Sequence, residues 1–177
     1  MNAEQLHPMR AVYLGLGSNI GDRAAWIQKA LQNIATLHFV HVGKVSSLYE
    51  TEPWGKTDQP PFLNAAAMLW TSRPLLDLLA DLQRIEKNLG RVRKEKWGPR
   101  CIDLDLLFVT GEEMQTKVLT LPHPYVTARR FVLCPLVEIA PEAMVYGETV
   151  ATWLARLEAK EGTGGIRRLE TLCIGNK

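Results

Sequence analysis

The sequence predicts a single domain in which helices and strands are mixed along the chain. Apolar, often β-branched runs at 11–16, 39–48, 62–70, 101–109 and 117–121 read as strands. Apolar residues at helical spacing mark helices near 22–37, 72–89, 131–141 and 149–160. Length is the third observation: 177 residues, 46% apolar and 23% charged, suit one core. The expected domain spans 1–160, with 1–9 as a loose leader, and 161–177 forms a C-terminal tail.

Each element has a local reason. The first strand, Ala11–Leu16, ends in the turn Gly17-Ser-Asn-Ile-Gly-Asp22, whose Asp22 is placed to cap the next helix. Trp26, Ile27, Ala30, Leu31, Ile34 and Leu37 form that helix's apolar stripe. A strand over 39–48 leads into a long turn-rich loop, 49–61, of the kind that often carries function. In the strand 62–70, Phe62, Asn64, Ala66, Met68 and Trp70 share one face. An aromatic ring beside a carboxamide suits a flat, amide-bearing heterocycle; the structural alternative is a core Phe with an Asn that satisfies loop backbone. Ser72 is the expected cap of the next helix and Pro74 stands in its first turn. Leu75, Leu78, Leu79, Leu82, Ile85 and Leu89 line its buried side, Gly90 stops it, and Gln83, Glu86 and Lys87 are expected in solvent unless the helix end borders the site. Leu121-Pro-His-Pro-Tyr125 is a rigid turn that fixes His123 ahead of Arg129-Arg130-Phe131. The last helix carries Val150, Trp153, Leu154 and Leu157 inward, and Glu161-Gly-Thr-Gly-Gly165 is a hinge.

The chemistry concentrates in 91–109. Between Arg84 and Arg100 stand seven Lys or Arg (84, 87, 91, 93, 94, 96 and 100) against Glu86 and Glu95. In the strand that follows, Ile102, Leu104, Leu106 and Phe108 are expected on one face, with Cys101, Asp103 and Asp105 on the other. Asp103 and Asp105 then lie about 6–7 Å apart at Cα. Two like charges on an apolar strand repel each other and resist desolvation. A divalent cation with phosphate oxygens resolves both problems, and the basic loop supplies the counter-charge a polyphosphate needs. An Asp pair on a solvated sheet face, paired with Arg100, is the structural alternative.

Composition narrows the class. A net charge of +2 is too small for bulk nucleic-acid binding. No apolar run approaches 18 residues, so no membrane span is expected, and the N-terminus lacks a secretory signal pattern. Cys101, Cys134 and Cys173 form neither a disulfide framework nor a zinc pattern and suit a reducing, cytoplasmic setting. Gly15, Gly17 and Gly21 miss the dinucleotide spacing, and no Walker-type loop occurs.

Several segments together resemble the 6-hydroxymethyl-7,8-dihydropterin pyrophosphokinases of folate biosynthesis. They are Gly17-Ser-Asn19, Asp58-Gln-Pro-x-Phe-Leu-Asn64, Arg91-Val-Arg93, Trp97-Gly-Pro-Arg-x-Ile-Asp-Leu-Asp-Leu-Leu107, Leu121-Pro-His-Pro124 and Arg129-x-Phe-Val-Leu-x-Pro-Leu136. The resemblance covers roughly residues 10–155 and implies an α+β, ferredoxin-like fold, an antiparallel sheet flanked by helices on both faces. It implies transfer of the β,γ-pyrophosphoryl unit of ATP to the pterin hydroxymethyl group, with release of AMP. By motif position, Asp103 and Asp105 would hold two Mg²⁺ ions, and Arg91 and Arg100 would clamp phosphates. Gln83, Arg93, Leu106, Thr120, His123 and Arg129, with Arg100, would serve ATP. Thr51, Trp54, Phe62, Asn64, Trp97 and Phe131 would serve the pterin. The loops 53–61 and 91–100 would close over both substrates. A monomer without nucleic-acid or membrane partners is expected.

Departures are few: the loop 94–97 is one residue short of some relatives, Phe62 stands where Tyr can occur, and Tyr125 follows His-Pro where a basic residue is common. Two rivals remain open at this level. An RNA-binding sheet module could use the basic loop and Trp97. An ordinary kinase could use the same metal site to move one phosphoryl group.

Overall fold

The computed structural model describes residues 8–53, 57–91 and 98–171, with the side chains of 170 and 171 outside that description. Trp54, Arg93 and Trp97, and most of the proposed leader, therefore lie outside the described residues. In chain order the elements are β1 (Arg10–Ser18), α1 (Arg23–Ala35), β2 (Val40–Val45), β3 (Ser47–Thr51), β4 (Phe62–Thr71), α2 (Leu75–Asn88) and β5 (Asp103–Val109). They continue with β6 (Met114–Gln115), β7 (Thr120–Leu121), a 3₁₀ turn (Val126–Ala128), α3 (Arg130–Ile139), β8 (Met144–Val145), β9 (Glu148–Thr149), α4 (Val150–Glu161) and β10 (Ile166–Thr171).

Six strands form one antiparallel sheet in the order β10-β3-β4-β1-β5, with β2 also pairing along β4. Helices cover both faces, as the ferredoxin-like reading requires. Even-numbered residues of β1 (Val12, Leu14, Leu16) face Ile27, Leu31 and Ile34 of α1 and Leu78, Leu82 and Ile85 of α2. Ala11, Tyr13 and Ala66 on the other face pack with Leu133, Leu136 and Ile139 of α3 and Val150 of α4. The period-2 alternation of the strands and the stripes of the helices produce these two layers directly.

Local signals hold in most places. Asp22 accepts from Ala25 N–H at 3.0 Å, Thr149 accepts from Thr152 N–H at 3.1 Å, and Gly90 takes the positive φ of 89° that ends α2. Ser72 does not cap α2: the helix starts one residue after Pro74, which has no side-chain oxygen to offer. The expected 39–48 strand is two strands. Ser46 interrupts them, its N–H donating to the Ala66 carbonyl and its Oγ accepting from Ala66 N–H, both at 2.9 Å. β3 runs on to Thr51, into what the turn residues mark as loop, because Tyr49, Glu50 and Thr51 pair with β4. The strand expected over 117–121 contracts to Thr120–Leu121, since Thr116 Oγ accepts from the 118 and 119 amides and turns the chain.

The strand that carries the two aspartates contains a bulge. Leu14 pairs with Leu106 and Tyr13 with Phe108, so Leu107 is the extra residue. Ile102, Leu104 and Leu106 face α1 and α2 as alternation predicts, but Phe108 crosses to the α3 side and stacks on Tyr13 at 4.3 Å. Residues 166–171, unread in the sequence, form an edge strand on β3. Among the described residues no helix is long and apolar enough to cross a membrane.

Candidate active site

A cavity of about 800 Å³ opens where the N-terminal end of β4, the C-terminal end of β1 and the start of β5 meet the turn before α3. Its floor lies on the α3 side of the sheet. Gly15 and Gly17 of β1 stand beside Asp105 and Asp103 of β5, and Gly17 also stands beside Asn64 of β4. Neither glycine fills the floor. A Cβ at 17 would sit 3.3 Å from Asn64 Oδ1, and one at 15 would sit 3.4 Å from Leu107. The Gly15-x-Gly17 pair thus keeps the floor open, a role distinct from dinucleotide binding.

Charge at one end is tightly organised. Arg91 Nη2 meets Asp103 Oδ1 at 2.6 Å, and Arg100 Nη1 donates to Asp103 Oδ2 at 2.7 Å. Arg91 Nη1 also bonds Glu86 Oε1, which accepts from Leu104 N–H at 2.7 Å. Glu86 is therefore 3% exposed, against the expectation that it is solvated. It leaves the apolar stripe of α2, yet the unpaired amide of Leu104 and the Arg91 guanidinium draw it inward. Burial pushes its carboxyl up, while the Leu104 amide and Arg91 pull it back.

Asp105 lies one pleat further in. No hydrogen bond reaches its carboxylate from the described residues. Burial, then the charges of Asp103 and Glu86, push it up to about 7, with Arg91 and Arg129 opposing. Asp103 and Asp105 do share a face, as the alternation predicts. Among the described residues no group of three His, Cys, Asp or Glu could hold a metal ion. Two carboxylates suffice for Mg²⁺ when water and substrate phosphates complete its shell, so the pair suits that ion.

The opposite wall suits a flat ring. Asn64 is buried and donates through Nδ2 to Thr51 Oγ1 at 2.8 Å, which leaves Oδ1 turned to the open floor above Gly17. Phe62, from β4, has the Arg100 guanidinium 5.8 Å from its ring centroid. Phe131, at the start of α3, lines the cavity beside Arg129, whose guanidinium lies 4.7 Å from the Tyr125 ring and 5.7 Å from the Phe131 ring. Burial lowers the basicity of Arg129, and the neighbouring Asp105, Tyr125 and Asp103 restore part of it. His123 is fixed by its own amide, which donates to the Leu107 carbonyl at 2.6 Å, and by Nδ1, which accepts from Tyr125 N–H at 3.1 Å. Burial, then Arg129, holds its imidazole below the usual range, which favours the neutral ring.

The structure brings Thr51, Phe62, Asn64, Arg91, Arg100, Asp103, Asp105, His123, Arg129 and Phe131 to this one cavity. It leaves three expected residues away from the cavity lining. Leu106 is buried against α1 and α2 on the far face of the sheet, Gln83 is exposed on α2, and Thr120 is exposed on β7. Strand alternation alone turns Leu106 away, since it is even-numbered like Ile102 and Leu104. Asn19 is the residue the sequence reading left without a task. It is 2% exposed, donates to Gln59 Oε1 at 3.0 Å and the Pro60 carbonyl at 3.1 Å, and accepts from Arg100 N–H at 2.8 Å. It therefore ties the loop before β4 to the loop before β5. Its signal was its place in Gly17-Ser-Asn19, directly after a strand that ends at the cavity.

A cation pair facing a carboxylate pair, next to an aromatic and carboxamide wall, suits the class of group-transfer enzymes that work between a polyphosphate and a heterocycle. Comparison with known proteins makes the class particular. The family model described as 7,8-dihydro-6-hydroxymethylpterin-pyrophosphokinase (HPPK) matches residues 13–141. A 2-amino-4-hydroxy-6-hydroxymethyldihydropteridine pyrophosphokinase of Methylorubrum extorquens is 46% identical over 162 residues, 92% of this chain and 100% of the relative. One of Bacillus subtilis is 46% identical over 130 residues, 73% of this chain and 78% of the relative. A solved Plasmodium falciparum HPPK–DHPS chain superposes with a TM-score of 0.72 at 16% identity, over 93% of this chain and 49% of that one, so this chain spans about half its length. The chain belongs to the 7,8-dihydro-6-hydroxymethylpterin-pyrophosphokinase family and is an ATP-using pyrophosphokinase of folate biosynthesis.

Proposed function

We propose that the chain transfers pyrophosphate from ATP to the hydroxymethyl group of 6-hydroxymethyl-7,8-dihydropterin and releases AMP. The single observation that carries this reading is the sharing of Asp103 between Arg91 and Arg100, with Asp105 beside it on the same face and without a hydrogen bond from the described residues. Asp103 and Asp105 would hold the two Mg²⁺ ions, which when bound would supply positive charge to offset that of the triphosphate. When phosphate oxygens arrive, Arg91 and Arg100 are preset donors aimed at the charge that develops. Arg129, with His123 beside it, extends the cationic wall along the triphosphate. Asn64 holds the pterin edge through Oδ1, with its own orientation fixed by Thr51. Phe62 and Phe131 border the ring. Positioning of the hydroxymethyl oxygen in line with the β-phosphorus supplies most of the rate, and no strong protein base is required. The enzyme acts as a cytoplasmic monomer.

The experiment compares Asp105→Ala and Arg100→Ala with the parent protein. Asp105→Ala abolishes Mg²⁺-dependent turnover while the circular dichroism spectrum is kept. Arg100→Ala lowers kcat by about 10²–10³, the range for losing a preorganised donor, with pterin affinity nearly unchanged. Undiminished turnover in Asp105→Ala contradicts the metal assignment, and loss of pterin affinity alone in Arg100→Ala contradicts the phosphate role.

A further inference from the structure

β10 lies beyond residues 13–141, the span of the family model, yet it pairs with β3, whose Thr51 lines the cavity. Its pairing with β3 sets Ile166 opposite Thr51, Arg167 opposite Glu50 and Arg168 opposite Tyr49. On one face of β3, Glu50 is held at both oxygens: Arg167 Nη2 reaches Oε1 at 2.6 Å and Arg23 Nη2 reaches Oε2 at 2.7 Å. The second terminal nitrogen of Arg23 donates to the Pro61 carbonyl at 2.8 Å, one residue before Phe62. On the other face, Arg168 Nη2 meets Glu138 Oε1 at 3.1 Å, and Arg130 Nη1 donates to the Gly164 carbonyl at 2.6 Å, just before β10. Arg130 stands between Arg129 and Phe131.

Arg23 is the first residue of α1, whose first turn holds no acid. A cation there opposes the helix dipole, so nothing in the helix itself favours it. Its two partners, Glu50 and the Pro61 carbonyl, supply the reason. The chain β10–Glu50–Arg23–Pro61 is a strut from the C-terminal strand to the segment that carries Phe62.

We propose that β10 is a positioning element of the heterocycle subsite: through Glu50 and Arg23 it fixes the Pro61 carbonyl and Phe62, and through its pairing with β3 it fixes Thr51 and hence Asn64. Arg167, Glu50 and Arg23 touch no substrate. The inference rests on the reading of Phe62, Thr51 and Asn64 as the pterin wall.

The test uses the full chain and two variants, Glu50→Ala and Arg167→Glu, with Arg167→Lys as the conservative control. Affinity for 6-hydroxymethylpterin is measured by fluorescence in the presence of Mg²⁺ and a non-hydrolysable ATP analogue, and affinity for the analogue is measured separately. Both variants weaken pterin binding several-fold and raise its KM, while analogue affinity and kcat stay within a factor of about two, and Arg167→Lys matches the parent. A general loss of structure would lower both affinities together. Weakening in Glu50→Ala alone overturns the role of β10, because the Arg23 strut then stands without it. Parent-like pterin affinity in both variants overturns the inference and leaves the pterin reading intact. A parent protein that binds no pterin overturns that reading, and the inference with it.

Discussion

Asn19 and Arg100 are joined twice: the Arg100 amide donates to Asn19 Oδ1 at 2.8 Å, and the Asn19 amide donates to the Arg100 carbonyl at 3.1 Å. The same Asn19 side chain holds Gln59 and the Pro60 carbonyl. One buried carboxamide thus sets the distance between Arg100 and the segment that leads into Phe62.

Asn19→Ala therefore disturbs both sides of the site at once. It strands the Arg100 amide and costs about 1–3 kcal/mol in stability. Turnover falls by about tenfold to a hundredfold, since small displacements of positioned groups are amplified in rate. Chemical denaturation and steady-state kinetics on the same preparation read both effects. Unchanged turnover would show that the two loops hold their places without Asn19.

Glu86 is the buried counterpart of Arg91. Glu86→Ala leaves the Arg91 guanidinium, 10% exposed in its side chain, without one of its two acids and leaves Leu104 N–H unpaired. Breaking such a pair from one side costs about 3–5 kcal/mol. A urea melt reads the loss. A change within the scatter of surface substitutions would contradict the buried pairing.

The raised Asp105 carboxyl gives a pH dependence with a definite sign. In the metal-free protein its folded value, about 7, lies above its unfolded value, so its favourable protonated state is fully present below the unfolded value and lost as pH rises through about 7. Asp105→Asn, which cannot ionise, should be more stable than the parent at pH 8 in EDTA by about 1–3 kcal/mol, and the gap should close toward pH 4. In the parent, apparent Mg²⁺ affinity should rise with pH and level off above about 7, because the cation displaces the proton. Calorimetric titrations of Mg²⁺ across pH 5.5–8.5 check this, and a flat profile contradicts it.

Tyr49 supplies an alkaline counterpart. Burial, then its hydrogen bond to Glu138 at 2.8 Å, pushes its phenol up to about 12. The folded value exceeds the unfolded value of 10.0, so the stabilisation is complete below pH 10 and lost as pH rises through about 12. Tyr49→Phe costs about 1 kcal/mol at neutral pH and removes that part of the alkaline loss. Thermal melts at pH 7 and pH 11 compare the two proteins. An equal alkaline loss in both would contradict this origin.

Most of the fold was legible because it rests on periodicity. The helix stripes, the cap at Asp22, and the shared face of Asp103 and Asp105 all follow from local pattern. What was missed depends on partners distant in sequence. Phe108 changes face because Leu107 is an extra residue against β1, which no pattern within β5 announces. Glu86 looks solvated on its own helix and is buried by an amide 18 residues away. β10 carries charged residues on a sheet edge, and its partners Glu50 and Glu138 stand on other elements. Only the resemblance, and no local pattern, assigns Leu106, Gln83 and Thr120 to the nucleotide. For Leu106 the strand alternation argued the other way.

The central claim is tested most directly by incubating the protein with Mg²⁺, ATP and 6-hydroxymethyl-7,8-dihydropterin and resolving the nucleotide products. The site described here yields AMP and a diphosphorylated pterin in equal amounts. ADP with a monophosphorylated pterin would contradict the two-phosphate transfer, and ATP left intact in the presence of pterin would contradict the assignment of the cavity.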